Sequence, residues 1–414
     1  MSGRYLFRDI SNDGRIFRDT RKNLRGGLKT PFFLIKQMIL DANINEFKLA
    51  FEKHWNTAIL GYSVKTNSLP WVLKHMKNQG AFAEVVSDEE YKLAQLCGFL
   101  GEKIIFNGPI KSREFLKIAN ESGSIINLDS KKDVSYVLEN TVKDIKKIGI
   151  RVNVNPKVFD SKDIGYEEDG FRFGFSYENG ELGKVISSLR NKYGKDIEFG
   201  LHLHCNTITR SLDAYKSIAR YAKEIIKHYD LHPSFLDMGG GYFGGVEGKP
   251  KASDYLEVIK IELEEVIDVG LCKLIVEPGS AIIGSAVDLY TSILDVKDTD
   301  YSRIVTTDGS RIHIDPLWVK KGYMYSLDTD SNNIINKQII CGYTCMDHDR
   351  MMVLENEKEL KENDKLIYHR VGAYSMTFGG PFIRYFPNIY LEENGEYYQV
   401  RKYITTDDYI NIHM

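Results

Sequence analysis

Between about residues 55 and 282 the chain alternates two textures, short apolar runs and longer stretches whose apolar residues recur at helical spacing. The apolar runs are AILGYSV, AFAEVVS, KIIFNG, SIINLD, IGIRVNVN, EFGLHLHC, SFLDMGGG and KLIVEP. Between them lie amphipathic segments such as SLPWVLKHMKNQG, DEEYKLAQLCGF and SLDAYKSIARYAKEIIKHY. Runs that are apolar throughout suit strands buried on both faces, and strand-helix alternation of this count predicts a (β/α)8 barrel. An open doubly wound sheet is the alternative on pattern alone. After Gly284 the texture changes. AVDLYTSILDVKD, YSRIVTTDG, RIHID, NNIINKQIICG and DKLIYHRVGAY are short, β-rich and separated by turns, which predicts a mostly antiparallel second domain. TPFFLIK, near the start, has strand character and is expected to join that domain. The expected organisation is an N-terminal segment (1–44) packing with the β-domain, a barrel (45–283) and a C-terminal β-domain (284–414).

Composition narrows the function classes. The 414 residues are 43% hydrophobic and 27% charged, an ordinary globular balance with enough chain for more than one core. A formal net charge of -3 favours neither nucleic acid nor an anionic membrane as a partner. Cysteines at 97, 205, 272, 341 and 345 have neither paired zinc spacing nor a secreted disulfide pattern, so no metal site is expected. The opening MSGRYLFRDISNDGR is too charged for a secretory signal, and no 18-residue apolar run occurs. A cytoplasmic protein is expected.

Barrel chemistry sits at the C-terminal ends of strands, and the unusual residues fall there. Lys65 follows GYSV, Glu84 follows AFA, Arg151 follows IGI, His204 follows LHL, Gly239, Gly240 and Gly241 follow LDM, and Glu277 follows LIV. Each alone has a plain reading: a snorkelling lysine, a hydrogen-bonded core histidine, a tight turn. Together they describe one kind of site. A lysine amine can form a Schiff base with a carbonyl, and consecutive glycines expose backbone N–H groups to a phosphate. Pyridoxal phosphate needs that lysine, an anion at its pyridine nitrogen, a flat group on its ring and donors for its phosphate. Lys65, Glu277, His204 and the glycines could supply these in turn.

The chain resembles the fold-type III pyridoxal-phosphate decarboxylases, the ornithine and diaminopimelate decarboxylase family. The resemblance is carried by YSVKTN, EVVSDEE, IIFNGPIK, RVNVNP, FRFGF, GLHLHC, LDMGGGYFGG, VEPG, GYTCMDHD and GAY, in family order over nearly the whole chain. It implies a barrel followed by a β-domain, and the following roles. Lys65 would bind the cofactor as a Schiff base, Glu277 would pair with the pyridine nitrogen, and His204 would stack on the ring. Gly239, Gly240, Gly241, Thr207 and Tyr374 would face the phosphate, with Glu84 and Arg151 near the lysine and the phenolic side. Cys345 would return a proton to the α-carbon from the partner subunit, implying a homodimer with shared active sites.

Four departures bear on cofactor and substrate. EPGR becomes EPG with Ser280, and the phosphate segment H-x-G-S becomes HCNT. The arginine that grips the distal carboxylate in diaminopimelate enzymes is replaced by Asp315, and the acidic residue after the cysteine is Met346, with Asp347 one place later. Asp315 or Asp347 could therefore meet a distal ammonium, the alternative being that both are solvated loop carboxylates. Arg311 would instead suit a carboxylate on a larger, conjugated substrate. The expected activity is α-decarboxylation of a basic or amino-bearing amino acid in polyamine or specialised metabolism. An amino-acid racemase and a catalytically silent regulator are the alternatives.

Overall fold

The computed structural model describes residues 28–165, 169–320 and 322–414; the opening MSGRYLFRDISNDGR lies outside them. The chain divides into two units. One comprises Ile39–Ser285 with Gly372–Phe378, and the other the described residues up to Met38 with Ala286–Val371 and Gly379–Met414.

The first strand, β1 (Phe32–Lys36), belongs to the second of these units. The strands of the barrel sheet follow, eight forming the barrel and β7 appended to it: β2 (Ile59–Ser63), β3 (Phe82–Val85), β4 (Ile104–Phe106), β5 (Ile125–Leu128), β6 (Ile148–Asn153), the two-residue β7 (Phe175–Ser176), β8 (Gly200–His202), β9 (Phe235–Asp237) and β10 (Lys273–Val276). All pair in parallel in the order β5-β4-β3-β2-β10-β9-β8-β6, and β5 also pairs with β6, so the sheet closes on itself. The eight apolar runs are the eight barrel strands. β7 adds to β6 from outside that ring.

Several intervening helices start on a serine. The hydroxyls of Ser87, Ser112, Ser130 and Ser211 each accept from the amide three residues on, satisfying a donor that a helix start leaves open. The helix Leu212–Tyr229 buries Tyr215, Ile218, Ala219, Ala222, Ile225 and Ile226, the stripe that its spacing predicted. Inside the barrel Ile105, Ile125, Phe235 and Ile275 pack together. A Cβ at Gly200 would lie 2.2 Å from the Phe235 ring, and one at Gly149 would lie 2.8 Å from it, so both strands need glycine to admit this aromatic.

The other unit is built from β1 and eight later strands: β11 (Val287–Asp298), β12 (Arg303–Thr307), β13 (Met324–Asp328), β14 (Ile334–Cys341), β15 (Arg350–Lys358), β16 (Lys365–His369), β17 (Asn388–Glu393) and β18 (Glu396–Arg401). Only the pairs β1–β17 and β12–β14 are parallel; the rest are antiparallel. TPFFLIK joins this sheet as expected, between β11 and β17. Its Phe32 ring stacks on Tyr290 at 4.8 Å and meets Tyr390 edge-on at 5.4 Å.

Candidate active site

The barrel strands deliver their polar residues to one connected group. A short helical turn, Val64–Thr66, continues β2 and carries Lys65. Lys65 Nζ donates to Glu84 Oε2 at 2.7 Å, from a side chain with 38% of its surface exposed, whereas Glu84 has none. Ser63 Oγ donates to the same oxygen at 2.6 Å, and Asn107 Nδ2 to Glu84 Oε1 at 3.1 Å. Burial opposes charge on Lys65, but Glu84 and Glu277 outweigh it and hold its pKa above the ordinary lysine value. Burial likewise opposes charge on Glu84, yet Lys65 and three hydrogen bonds keep its pKa low. The pair is ionised.

Deeper lies a second carboxyl group. Asn107 Nδ2 also donates to Glu277 Oε1 at 2.6 Å, while Asn127 Nδ2 donates to Asn107 Oδ1 at 2.8 Å and Asp237 Oδ2 at 3.0 Å. Asp237 Oδ1 accepts from the Gly239 amide at 2.9 Å, and Asp237 is hydrogen-bonded to Glu277. Burial pushes Asp237 up to about 7; burial, then the charges of Asp237 and Glu84, push Glu277 well above the carboxylate range. The two share a proton, because two anions cannot both stay ionised there. His202, buried with both ring nitrogens unpartnered, has Nε2 3.9 Å from Glu277 Oε2. His202, Asp237 and Glu277 bring ligand-type atoms within 4.8 Å of one another, a spacing that also suits a cation.

The histidine plane and the glycine loop follow. His204 Nδ1 accepts from the Gly240 amide at 3.2 Å, so a neutral ring carries its hydrogen on Nε2. Burial and the nearby Arg151 lower its pKa to about 3, which keeps it neutral at physiological pH. Gly239 has φ of 63°, and a Cβ there would strike the His204 ring at 2.3 Å. At Gly240 a Cβ would lie 2.4 Å from the Glu277 carbonyl oxygen; Gly241 has φ of 95°. These glycines bring bare backbone between the histidine and the glutamate. Arg151 Nη1 is paired with Asp129 at 2.8 Å, Nη2 donates to the His204 carbonyl at 3.4 Å, and the guanidinium lies 4.6 Å from the Phe173 ring centroid. Thr207 is buried in the loop after β8. Ser280 Oγ accepts from Arg210 Nη1 at 3.3 Å. Tyr374, with φ of 53° and 40% exposed, donates its amide to the Thr66 carbonyl at 2.9 Å, beside the lysine turn.

In the other unit, Cys345 and Asp347 are exposed between β14 and β15, and Arg350 Nε donates to the Asp347 carbonyl at 3.0 Å. Asp349 is buried and organises that turn, accepting from Ser310 Oγ, Thr344 Oγ1 and the Arg311 amide. Asp315 is 3% exposed, and its oxygens already accept from Arg311 at 2.6 Å, from the amides of Val319 and Lys320 and from Tyr323 Oη. Arg311 also donates to the Lys320 carbonyl and lies over Trp318. Asp315, expected as one candidate to meet a distal ammonium, is held here in an internal ion pair with Arg311.

A family profile described as "Pyridoxal-dependent decarboxylase, pyridoxal binding domain" matches residues 41–284. The chain belongs to that family. It is a pyridoxal-phosphate-dependent amino-acid decarboxylase, a carboxy-lyase. A probable chloroplastic diaminopimelate decarboxylase of Oryza sativa subsp. japonica is 27% identical over 92% of this chain and 79% of its own length. The L-glutamyl-[BtrI acyl-carrier protein] decarboxylase of Niallia circulans is 25% identical over 92% of this chain and 93% of its own. The M. jannaschii diaminopimelate decarboxylase crystallised with L-lysine superposes with a TM-score of 0.80 at 20% identity, over 93% of this chain and 92% of that one.

The residues present fit the cofactor. They offer an incompletely bonded lysine amine, a neutral imidazole plane, a glycine cradle that any Cβ would fill, and a deep carboxyl group that already holds a proton. The sequence reading missed Asn107, Asn127, Asp129, His202 and Asp237. Their signal was available, since each is a polar residue within or directly after an apolar run.

Proposed function

We propose that the enzyme decarboxylates an amino-bearing α-amino acid at a site built on Lys65 and completed by Cys345 of a second copy. The observation that carries this is the unbroken chain of hydrogen bonds from Lys65 through Glu84 and Asn107 to Glu277 and Asp237. When bound, the cofactor supplies a conjugated ring that accepts the electron pair released as the bond to the carboxylate breaks. Lys65 provides the amine that holds it, and Glu84 keeps that amine charged until a partner displaces it. Glu277 places a proton at the pyridine nitrogen, with Asn107 fixing its orientation and Asp237 setting its proton affinity. His204 offers a neutral face and excludes water from one side of the ring. Cys345 returns a proton to the α-carbon. We place the enzyme in the cytoplasm on its cysteines, all five of which are free thiols.

With Asp315 neutralised by Arg311, Asp347 is the exposed carboxylate left to orient a distal ammonium. Carbon-dioxide release across L- and D-diamino acids and arginine tests this. Asp347→Ala should raise KM for the preferred amine about tenfold with kcat little changed, the cost of one charge-assisted contact. An unchanged KM would return Asp347 to a solvated loop. A carrier-conjugated amino acid is the second reading, favoured by a cavity of about 710 Å³ that includes Arg311, Trp318, Lys320, Lys337 and Arg350 in its lining and, among the described residues, no acid. Turnover of only conjugated substrates would favour it.

The shared site has its own test. Equal mixing of inactive Lys65→Ala and Cys345→Ala subunits should restore about a quarter of native activity, since half the dimers carry one intact site. No recovery, with subunit exchange demonstrated, would contradict sharing.

A further inference from the structure

In the family that this chain resembles, the residue after EPG is an arginine that helps hold the cofactor's phosphate, and here that position carries Ser280. We propose that Arg210, delivered from the loop that follows β8, is the cation that holds the phosphate. The inference rests on the site reading above.

Four observations converge on Arg210. First, its guanidinium lies at the vacated position: Nη1 donates to Ser280 Oγ at 3.3 Å, so the serine hydroxyl orients an arginine rather than being replaced by one. Second, no carboxylate lies within ion-pair distance of this half-buried arginine among the described residues. A partly desolvated cation without a counter-charge is unfavourable unless an anion arrives. Third, the backbone is held in place against its own preference. Arg210 has φ of 52°, a left-handed conformation that persists only where the surroundings impose it. They do so here. Asp163 ties the loop through the Ile208 amide (2.7 Å), the Thr209 hydroxyl and the Ser211 hydroxyl (3.1 Å), and Tyr255 Oη donates to the Arg210 carbonyl at 2.7 Å.

Fourth, the glycine loop is pressed against the same turn. A Cβ on Gly244 would lie 2.1 Å from the Ala281 carbonyl oxygen, next to Ser280, and Tyr215 Oη fastens the Gly240 carbonyl at 2.6 Å. The glycine loop and the Ser280 turn to which Arg210 donates are therefore packed against each other. Arginine suits this task because its planar donors match two phosphate oxygens at once. Phe243 supports the guanidinium from 5.6 Å, with the exposed Lys249 at 5.3 Å from the same ring. Lys249 is the rival cation, and it has no comparable anchoring.

Titration of the apo-protein with pyridoxal 5'-phosphate and with pyridoxal, read by absorbance and fluorescence, tests this without reference to turnover. Arg210→Gln should weaken binding of the phosphorylated form about ten- to hundredfold and leave pyridoxal binding within about twofold, as expected for one lost charge-assisted contact to an anion. Arg210→Lys should lie between, since a point charge replaces a fork. Adding Ser280→Arg to Arg210→Gln should restore most of the loss by returning the cation to the vacated position. Lys249→Gln should change neither ligand. Equal weakening of both ligands by Arg210→Gln, no weakening of either, or phosphate-specific loss from Lys249→Gln instead, would each overturn the assignment. If Arg210→Gln fails to fold, the phosphate-specific deficit of Arg210→Lys decides. Binding of both ligands that is indifferent to Lys65→Ala would remove the site reading itself.

Discussion

Two lysines stand at the same end of the barrel and have opposite fates. Lys111, in the loop after β4, has no exposed side-chain surface; its Nζ donates to Asp133 at 2.9 Å and to the Gly108 carbonyl at 2.6 Å. Asp133 Oδ2 also accepts from the Asp129 amide, and the residue closes a capping box with Ser130. Burial lowers the Lys111 pKa despite that partner. Lys65 has a single acceptor, Glu84, which it shares with Ser63 and Asn107. Its charge is held up by two carboxyl groups, and its surface is open. The difference teaches that burial with a partner marks a structural lysine, whereas unspent hydrogen-bonding capacity beside an over-supplied acid marks a reactive one.

The comparison breaks most sharply under substitution. Lys65→Ala should remove the visible band of the lysine-bound cofactor and lower decarboxylation on the order of 10³-fold or more. Lys111→Met should keep the band yet destabilise the fold by about 3–5 kcal/mol, because Asp133 is left buried and unpaired. Denaturant unfolding and absorbance on both variants decide the matter; a surviving band in Lys65→Ala would falsify the assignment. A smaller effect separates the deep carboxyl group from the lysine pair. Glu277→Gln should lower kcat about a hundredfold, some 3 kcal/mol, with cofactor affinity changed far less, since it removes the acid that places a proton at the ring nitrogen as the ring takes up electrons. Full activity in that variant would exclude the role.

The mildest test is pH. Asp237 is raised to about 7 in the folded protein from an ordinary value near 4, so the folded state binds the proton more tightly across that window. Stability of the apo-protein should therefore fall as pH rises from about 4 to 7, and Asp237→Asn should flatten the slope. Thermal melts across that range measure it. A wild-type melting temperature that rises over the same interval would show that Asp237 is not held protonated.

The barrel was legible because its strands are apolar on both faces, and such runs stand out against amphipathic helices. β7 was not, since two residues carry no period. Lys65, Glu84, His204 and Glu277 could be read because each interrupts an apolar run with a group that is costly to bury. Asn107 and Asn127 were harder to see. A lone amide at a strand end resembles an ordinary turn residue, and its use depends on two carboxyl groups from other strands. Arg210 and Ser280 lie seventy positions apart, and only folding sets a guanidinium beside that hydroxyl. Asp315 misled for the complementary reason: its neutralising partner Arg311 was in view, but not that they face each other.

The aromatic at the barrel floor has a consequence for the history of this chain. Phe235 occupies the space where side chains from positions 149 and 200 would otherwise meet it, so the three residues cannot vary independently. A lineage that enlarged position 200 would first have to shrink position 235, passing through an underpacked intermediate that costs about 3–5 kcal/mol for a Phe-to-Ala change. Loops at the opposite end can drift without such an intermediate. One end of the barrel is thereby tied to its ancestry while the other remains free to acquire new chemistry.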